Sequence, residues 1–134
     1  MLLQIDHHSG QPIYRQVIDQ IRRQVLAGQL REGEQLPSVR DLAAQLRVNP
    51  MTISKVYSLL EMEGLLERRR GVGLFVAGLA REKAGRTKAH MLEEALSRAV
   101  VLALQLGIPQ DQVRDVLTRL YQRYESKMRR HENE

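Results

Sequence analysis

The chain has no cysteine and no tryptophan, and among its 134 residues Phe75 is the single phenylalanine. Without thiols there is no disulfide, no thiolate metal site and no cysteine nucleophile, and a reducing compartment costs such a chain nothing. No apolar run approaches the ~20 residues needed to cross a bilayer as a helix. The start, MLLQIDHHSG, lacks the basic end and apolar centre of a signal peptide. These absences lead to the expectation of a cytoplasmic protein with no membrane partner. Catalytic sets are missing too: there is no Ser/His/Asp or Cys/His group, and His7, His8, His90 and His131 are scattered over the termini and a connector. Neighbouring His7 and His8 would point to opposite faces of a strand, so they read as surface residues and not as a metal site. No enzyme and no cofactor are expected.

A chain of 134 residues holds one domain, or one small domain with a helical appendage. Its formal charge of +5 and sequence pI near 10.0 favour a polyanionic partner. Yet residues 1–80 carry ten Lys+Arg against eight Asp+Glu, and residues 81–134 carry eleven against eight. The surplus is spread out, so a binding site has to be found from the placement of individual cations.

Four prolines and nine glycines punctuate the chain. Residues 2–5 form a short apolar start that could be a strand. After Pro12, the residues Ile13, Val17, Ile21 and Val25 recur every four positions with Ile18 beside them, which predicts an amphipathic helix stopped at Gly28. Its polar side, with Arg15, Asp19, Arg22 and Arg23, reads as a solvated face. Beyond a connector broken by Gly33 and Pro37, Ser38 and Asp41 make a near-standard capping box for a helix burying Val39, Leu42, Ala43 and Leu46. Arg47 and Val48 form a tight turn where glycine is common. Asn49 is then a good N-cap and Pro50 a good first residue for a second helix.

In that second helix Ile53, Val56, Tyr57 and Leu60 form one apolar stripe. Met51, Lys55, Ser58 and Met62 point the other way, with Thr52 and Ser54 on the flanks. Hydroxyls and amides can reach phosphates and base edges without the repulsion a carboxylate brings, and Glu61 and Glu63 are held back to the far end. Gly64 ends the helix. Two short apolar segments, 65–68 and 74–77, flank Arg69, Arg70, Gly71, Val72 and Gly73 and read as a hairpin with Arg68, Arg69 and Arg70 at its mouth. A helix pair joined by a tight turn can set its second helix in the DNA major groove, while such a hairpin reaches the neighbouring backbone or minor groove.

From Gly78 the texture changes. Residues 81–88 read as a polar connector containing Gly85, followed by a helix over 90–106 whose middle, AVVLAL at 99–104, is apolar on every side. Gly107 stops it, and Pro109 opens a last helix with the stripe Val113, Val116, Leu117, Leu120 and Tyr124. Two helices cannot bury an all-round apolar segment by themselves, so a second copy is the expected cover. Leu92, Leu96, Ala99, Val100, Ala103, Leu106, Val113, Leu117, Leu120 and Tyr124 are the candidate dimer contacts. The expected fold is mainly α with a small β-hairpin wing: a winged helix-turn-helix domain at 1–78 and a two-helix dimerisation segment at 79–134.

P-I-Y at 12–14, L-P-S-x-R at 36–40, N-P-x-T at 49–52, E-x-E-G at 61–64 and G-x-G-x-F-V at 71–76 follow one another in order. Together they closely resemble the winged helix-turn-helix domain of the GntR family of bacterial transcriptional regulators, over roughly residues 3–78. The short tail resembles the YtrA-type branch. The resemblance implies that Arg40 contacts DNA from the helix before the recognition helix. It implies that recognition starts at Asn49, Pro50, Met51 and Thr52 and continues through Ser54 and Lys55, and that Arg70, Gly71 and Gly73 form the wing tip. Some relatives carry arginine where this chain has Pro50, so a guanine contact there does not carry over.

The reading is therefore a homodimeric, sequence-specific regulator, a repressor, on a palindromic operator in double-stranded DNA. The family also leaves room for a small-molecule effector of unknown identity. The alternative is a winged-helix protein-interaction module without sequence-specific DNA binding, which would leave the wing arginines without a purpose.

Overall fold

The four-residue spacing of Ile13, Val17, Ile21 and Val25 becomes helix α1 (Ile13–Leu26) in the computed structural model, which describes residues 1–79 and 81–132. It is followed by α2 (Val39–Leu46), α3 (Pro50–Met62), β1 (Leu66–Arg69), β2 (Gly73–Val76), α4 (Arg81–Gln105) and α5 (Gln110–Glu132). The chain divides into two compact units, Met1–Arg86 and Thr87–Glu134.

In the first unit α1, α2 and β1 all pack against α3. Ile53, Val56, Tyr57 and Leu60 of α3 are buried against Val17 and Ile21 of α1, Leu42 and Ala43 of α2, and Leu65, Leu66, Leu74 and Val76 around the wing. Each large aliphatic side chain in this cluster contributes about 1.5–3 kcal/mol by leaving water. Several polar side chains around it are paired. Arg22 reaches across from α1 to grip both carboxylate oxygens of Glu63, at 3.0 and 2.5 Å, and also bonds Asp19 at 3.2 Å. The expected solvated face of α1 is thus partly a brace between helices, because Glu63 follows directly on the last turn of α3.

Residues 2–5 are extended but join no sheet, which corrects the strand expectation. They lie along α1 and pair with side-chain amides. Gln16, which is buried, exchanges two hydrogen bonds with the backbone of Asp6 at 2.8 and 2.9 Å. Gln20 does the same with Gln4, at 2.9 and 2.6 Å, and Gln24 donates to the Leu2 carbonyl at 2.7 Å. The match is geometric, since four helical residues rise about 6 Å and two extended residues span about 6.6 Å. Leu3 and Ile5, on alternate positions, pack onto the core.

The hairpin pairs Leu66 with Val76, Glu67 with Phe75, Arg68 with Leu74 and Arg69 with Gly73. Residues 33–36 run along its second edge, with Gly33 donating to Val76, Val76 to Glu34 and Leu36 to Leu74 at 2.8–2.9 Å. The wing is therefore anchored on both sides of β2.

The polar connector expected at 81–88 is helical, as the first turns of α4. Glu82, Lys83, Ala84, Arg86 and Lys88 are good helix formers, and one exposed glycine, Gly85, costs only about 1 kcal/mol. In the second unit, a glycine in the left-handed region, Gly107 at φ 69°, ends the helix. Along α5, Asp111 sits in the first turn and Arg129, Arg130 and His131 in the last, matching the helix dipole. Among the described residues no helix is long and apolar enough to cross a membrane.

Candidate nucleic-acid interface

The site starts at Ser38, whose Oγ accepts from the Asp41 amide at 3.0 Å and fixes the first turn of α2. Asp41 makes no return bond among the described residues, its side chain being a methylene shorter than the glutamate of a full capping box. Arg40 is the second residue of this helix, exposed, with no side-chain hydrogen bond or ion pair among the described residues. The carbonyl of Pro37, just before the cap, accepts from the buried Tyr57 hydroxyl at 2.7 Å. Burial pushes the Tyr57 pKa far above the ordinary tyrosine range, so the hydroxyl keeps its proton and remains a donor. One side chain of the recognition helix thereby holds the start of the helix that carries Arg40.

The turn between the helices is unusual. Val48 donates to Ala43 at 3.0 Å and Arg47 to Ala44 at 3.3 Å, while Arg47 itself lies at φ 55°, ψ 49°. Helix α3 closes with the same bond pair, Leu65 to Leu60 and Gly64 to Glu61, and α4 does so through Ile108 to Ala103 and Gly107 to Leu104. In those two the left-handed residue is glycine. Arg47 is the one non-glycine residue with positive φ among the described residues, at a cost on the order of 1 kcal/mol.

Asn49 caps α3, its Oδ1 accepting from the Met51 amide at 2.9 Å, with Pro50 as the first helical residue. The opposite side from the core presents Met51 at 78% exposure, with Ser54, Lys55 and Ser58 exposed and Thr52 half-buried. Lys55 Nζ lies 4.3 Å from the centre of the Tyr14 ring, so a residue of α1 supports this cation. No carboxylate lies on the exposed face until Glu61, at the far end.

The three wing arginines separate into three environments. Arg68 bonds Glu61 at 3.2 Å, which ties the wing to α3, and Arg69 stacks on Phe75 at 4.1 Å. Arg70 stands in the turn closed by the Val72-to-Arg69 bond and makes no side-chain hydrogen bond or ion pair among the described residues. Gly71 follows it at φ 75°, a value suited to glycine in a tight turn. A Cβ on Gly73 would come within 2.9 Å of Gln35 Nε2, and that same amide donates to the Val72 carbonyl. Alternation along β1 sends Arg68 and Arg69 to opposite faces, and Arg70 stands beyond the strand in the turn, so the three consecutive arginines are kept apart. Tyr14, Glu61, Phe75 and Tyr57 were not among the site residues expected from sequence, since each acts by holding another residue, and that contact is tertiary.

The expected dimer contacts are placed separately, in the second unit. Leu92, Leu96, Ala99, Val100 and Leu106 of and just beyond α4 are exposed, as are Leu117, Leu120 and Tyr124 of α5, while Val113 is half-buried. Ala103 differs: it is only 8% exposed and already covered within the chain. Val101, Leu102, Leu104 and Tyr121 add to the exposed apolar area. Two open apolar depressions run along α4, one lined by Leu92, Leu96 and Val100 and the other by Val101 and Leu102.

Two capped helices joined by a tight turn, followed by a basic hairpin, define a winged helix-turn-helix protein. Residues 13–76 match the family described as bacterial regulatory proteins, gntR family. The HTH-type transcriptional repressor YtrA of Bacillus subtilis (strain 168) is 38% identical over 107 residues, covering 80% of this chain and 82% of that protein. A GntR family transcriptional regulator from Listeria monocytogenes superposes with a TM-score of 0.73 at 25% identity, covering 83% of this chain and 96% of that one. AraR(DBD) in complex with operator ORX1 superposes with a TM-score of 0.51 at 28% identity, over 57% of this chain and 99% of that one. The chain belongs to the gntR family and is a transcriptional regulator with that family's DNA-binding domain.

Proposed function

We propose that the chain is a homodimeric repressor that reads a palindromic operator. In this reading residues 1–78 recognise DNA and residues 79–134 bring two copies together. The observation that carries it is the contrast on α3, whose buried stripe anchors the helix while its other side offers hydroxyls, an amide cap and Met51 with no carboxylate until Glu61. Arg40, Lys55, Arg68, Arg69 and Arg70 supply attraction to phosphates, and Asn49, Met51, Thr52 and Ser54 face base edges, with Ser58 further along the helix. Met51 suits contact with a thymine methyl, since apolar side chains read that group in the major groove. Pro50 brings no donor to its position. Gly71 and Gly73 let the wing tip approach the backbone closely.

The dimer assignment is supported by the exposed leucines and valines of α4 and α5, which form too much apolar surface to remain in water. Repression is supported by the likeness to the YtrA repressor, and operator binding by the likeness to the AraR complex. Selection of bound sequences from random duplexes tests the proposal. The expected product is an inverted repeat with half-site centres about one helical turn, ~10 bp, apart. Arg40→Ala should then weaken binding at moderate salt at least tenfold, the loss of a charged contact being worth about 1.5–3 kcal/mol. A single unpaired half-site, or unchanged affinity of Arg40→Ala, would contradict it.

A further inference from the structure

Arg47 is held in a conformation that disfavours it, at a helix end built like two others that use glycine. We propose that Arg47 is a DNA-contacting residue, whose guanidinium binds a backbone phosphate at the rim of the groove entered by α3. The inference rests on the DNA-binding reading given above.

Three observations converge. Arg47 is exposed and, among the described residues, its guanidinium makes no hydrogen bond or ion pair within the chain. Its backbone lies at φ 55°, where a Cβ is crowded, while Gly64 and Gly107 fill the equivalent place at 80° and 69° with the same carbonyl partners. It also stands two residues before Asn49, the cap of α3. The N-terminal residues of a recognition helix contact base edges, so the residues just ahead of its cap lie beside the groove wall, where the phosphates run. A glycine here would relieve the backbone but could offer a phosphate no positive charge.

A different use of the cation is attraction to the carbonyl end of α2, which favours Lys or Arg there. That role predicts the opposite stability change, because removing the cation would then cost stability. Local strain retained at a site that would be easier without it points to a function outside folding.

The test compares Arg47→Gly, Arg47→Asn and Arg47→Lys in the full chain. Thermal unfolding gives stability, and titration with a random-sequence duplex over a range of salt gives affinity. Phosphate contacts are sequence-independent, so no operator is needed. Arg47→Gly should melt a few degrees higher than the parent, yet bind DNA roughly three- to tenfold more weakly, with a salt dependence shallower by about 0.9 for each phosphate that is no longer neutralised. Arg47→Asn, which tolerates the left-handed region but has no charge, should weaken binding to the same extent. Arg47→Lys should restore most of the affinity and the slope. If the parent binds steeply with salt and Arg47→Gly matches it in affinity and slope, the assignment of Arg47 is overturned. If Arg47→Gly is less stable than the parent, the strain argument is overturned. A parent showing no salt-dependent binding at all would instead overturn the DNA-binding reading beneath both.

Discussion

The two units of this chain treat apolar surface in opposite ways. In the first, Ile53, Val56, Tyr57 and Leu60 are enclosed on all sides by α1, α2 and the wing, and Gln16, Gln20, Arg22 and Gln24 of α1 find partners beside them. In the second, α4 and α5 leave Leu92, Leu96, Val100, Val101, Leu102, Leu104, Leu117 and Tyr121 in contact with solvent. A region that closes its own core can fold around a binding surface. A region that does not close its core is built to be completed by something else. The contrast supports the proposal that the first unit recognises DNA and the second joins two copies.

The largest expected effect breaks the closed side. Ile53→Ala empties a fully buried site beneath the exposed face of α3 and should cost about 2–5 kcal/mol in urea unfolding. Next, Leu96→Glu with Val100→Glu strikes only the open side. It should abolish self-association and lower operator affinity on the order of 100-fold, the size of the gain from linking two half-site contacts. Amide exchange protection in α3 should be unchanged, which keeps the two regions separable.

A smaller effect follows from Tyr57→Phe, which deletes the bond to the Pro37 carbonyl and should cost about 1 kcal/mol. It also carries a pH signature. Burial raises the folded pKa of Tyr57 above the ordinary value of 10.0, which the unfolded chain keeps. Below pH 10 both states hold the proton and its stabilisation is fully present. As pH rises past 10 the unfolded state ionises more readily, so stability falls, and Tyr57→Phe should lose less of its stability over that range. The smallest effect is expected from Gln20→Ala, which removes one rung between α1 and the extended start. It should cost less than about 1 kcal/mol and show as faster exchange of the Gln4 amide.

The helices of the first unit were legible in the sequence because their signals are local: a four-residue apolar period in α1, Ser38 as a cap for α2, Asn49 and Pro50 for α3, and Gly64 as a stop. The hairpin was legible from Gly71 and Gly73. What escaped depends on contacts between distant segments. Gln16, Gln20 and Gln24 look like an ordinary solvated helix face, and nothing local says that residues 2–6 will lie against them. Residues 81–88 looked like a connector because one glycine and a run of charges outweighed their good helix propensity. The residues of the candidate site were readable on α3, where periodicity separates buried from exposed positions. The supports for Lys55 on Tyr14, Arg69 on Phe75 and Arg68 on Glu61 were not, because each joins separate elements. Arg47 gave a partial signal, a large side chain where glycine is common, and its positive φ makes the meaning of that signal specific.

The central claim is that the open unit is completed by a second copy. Sedimentation equilibrium of the chain at micromolar concentration measures this directly. The account predicts a species of twice the 15.4 kDa chain mass. A single species at the mass of one chain would contradict it.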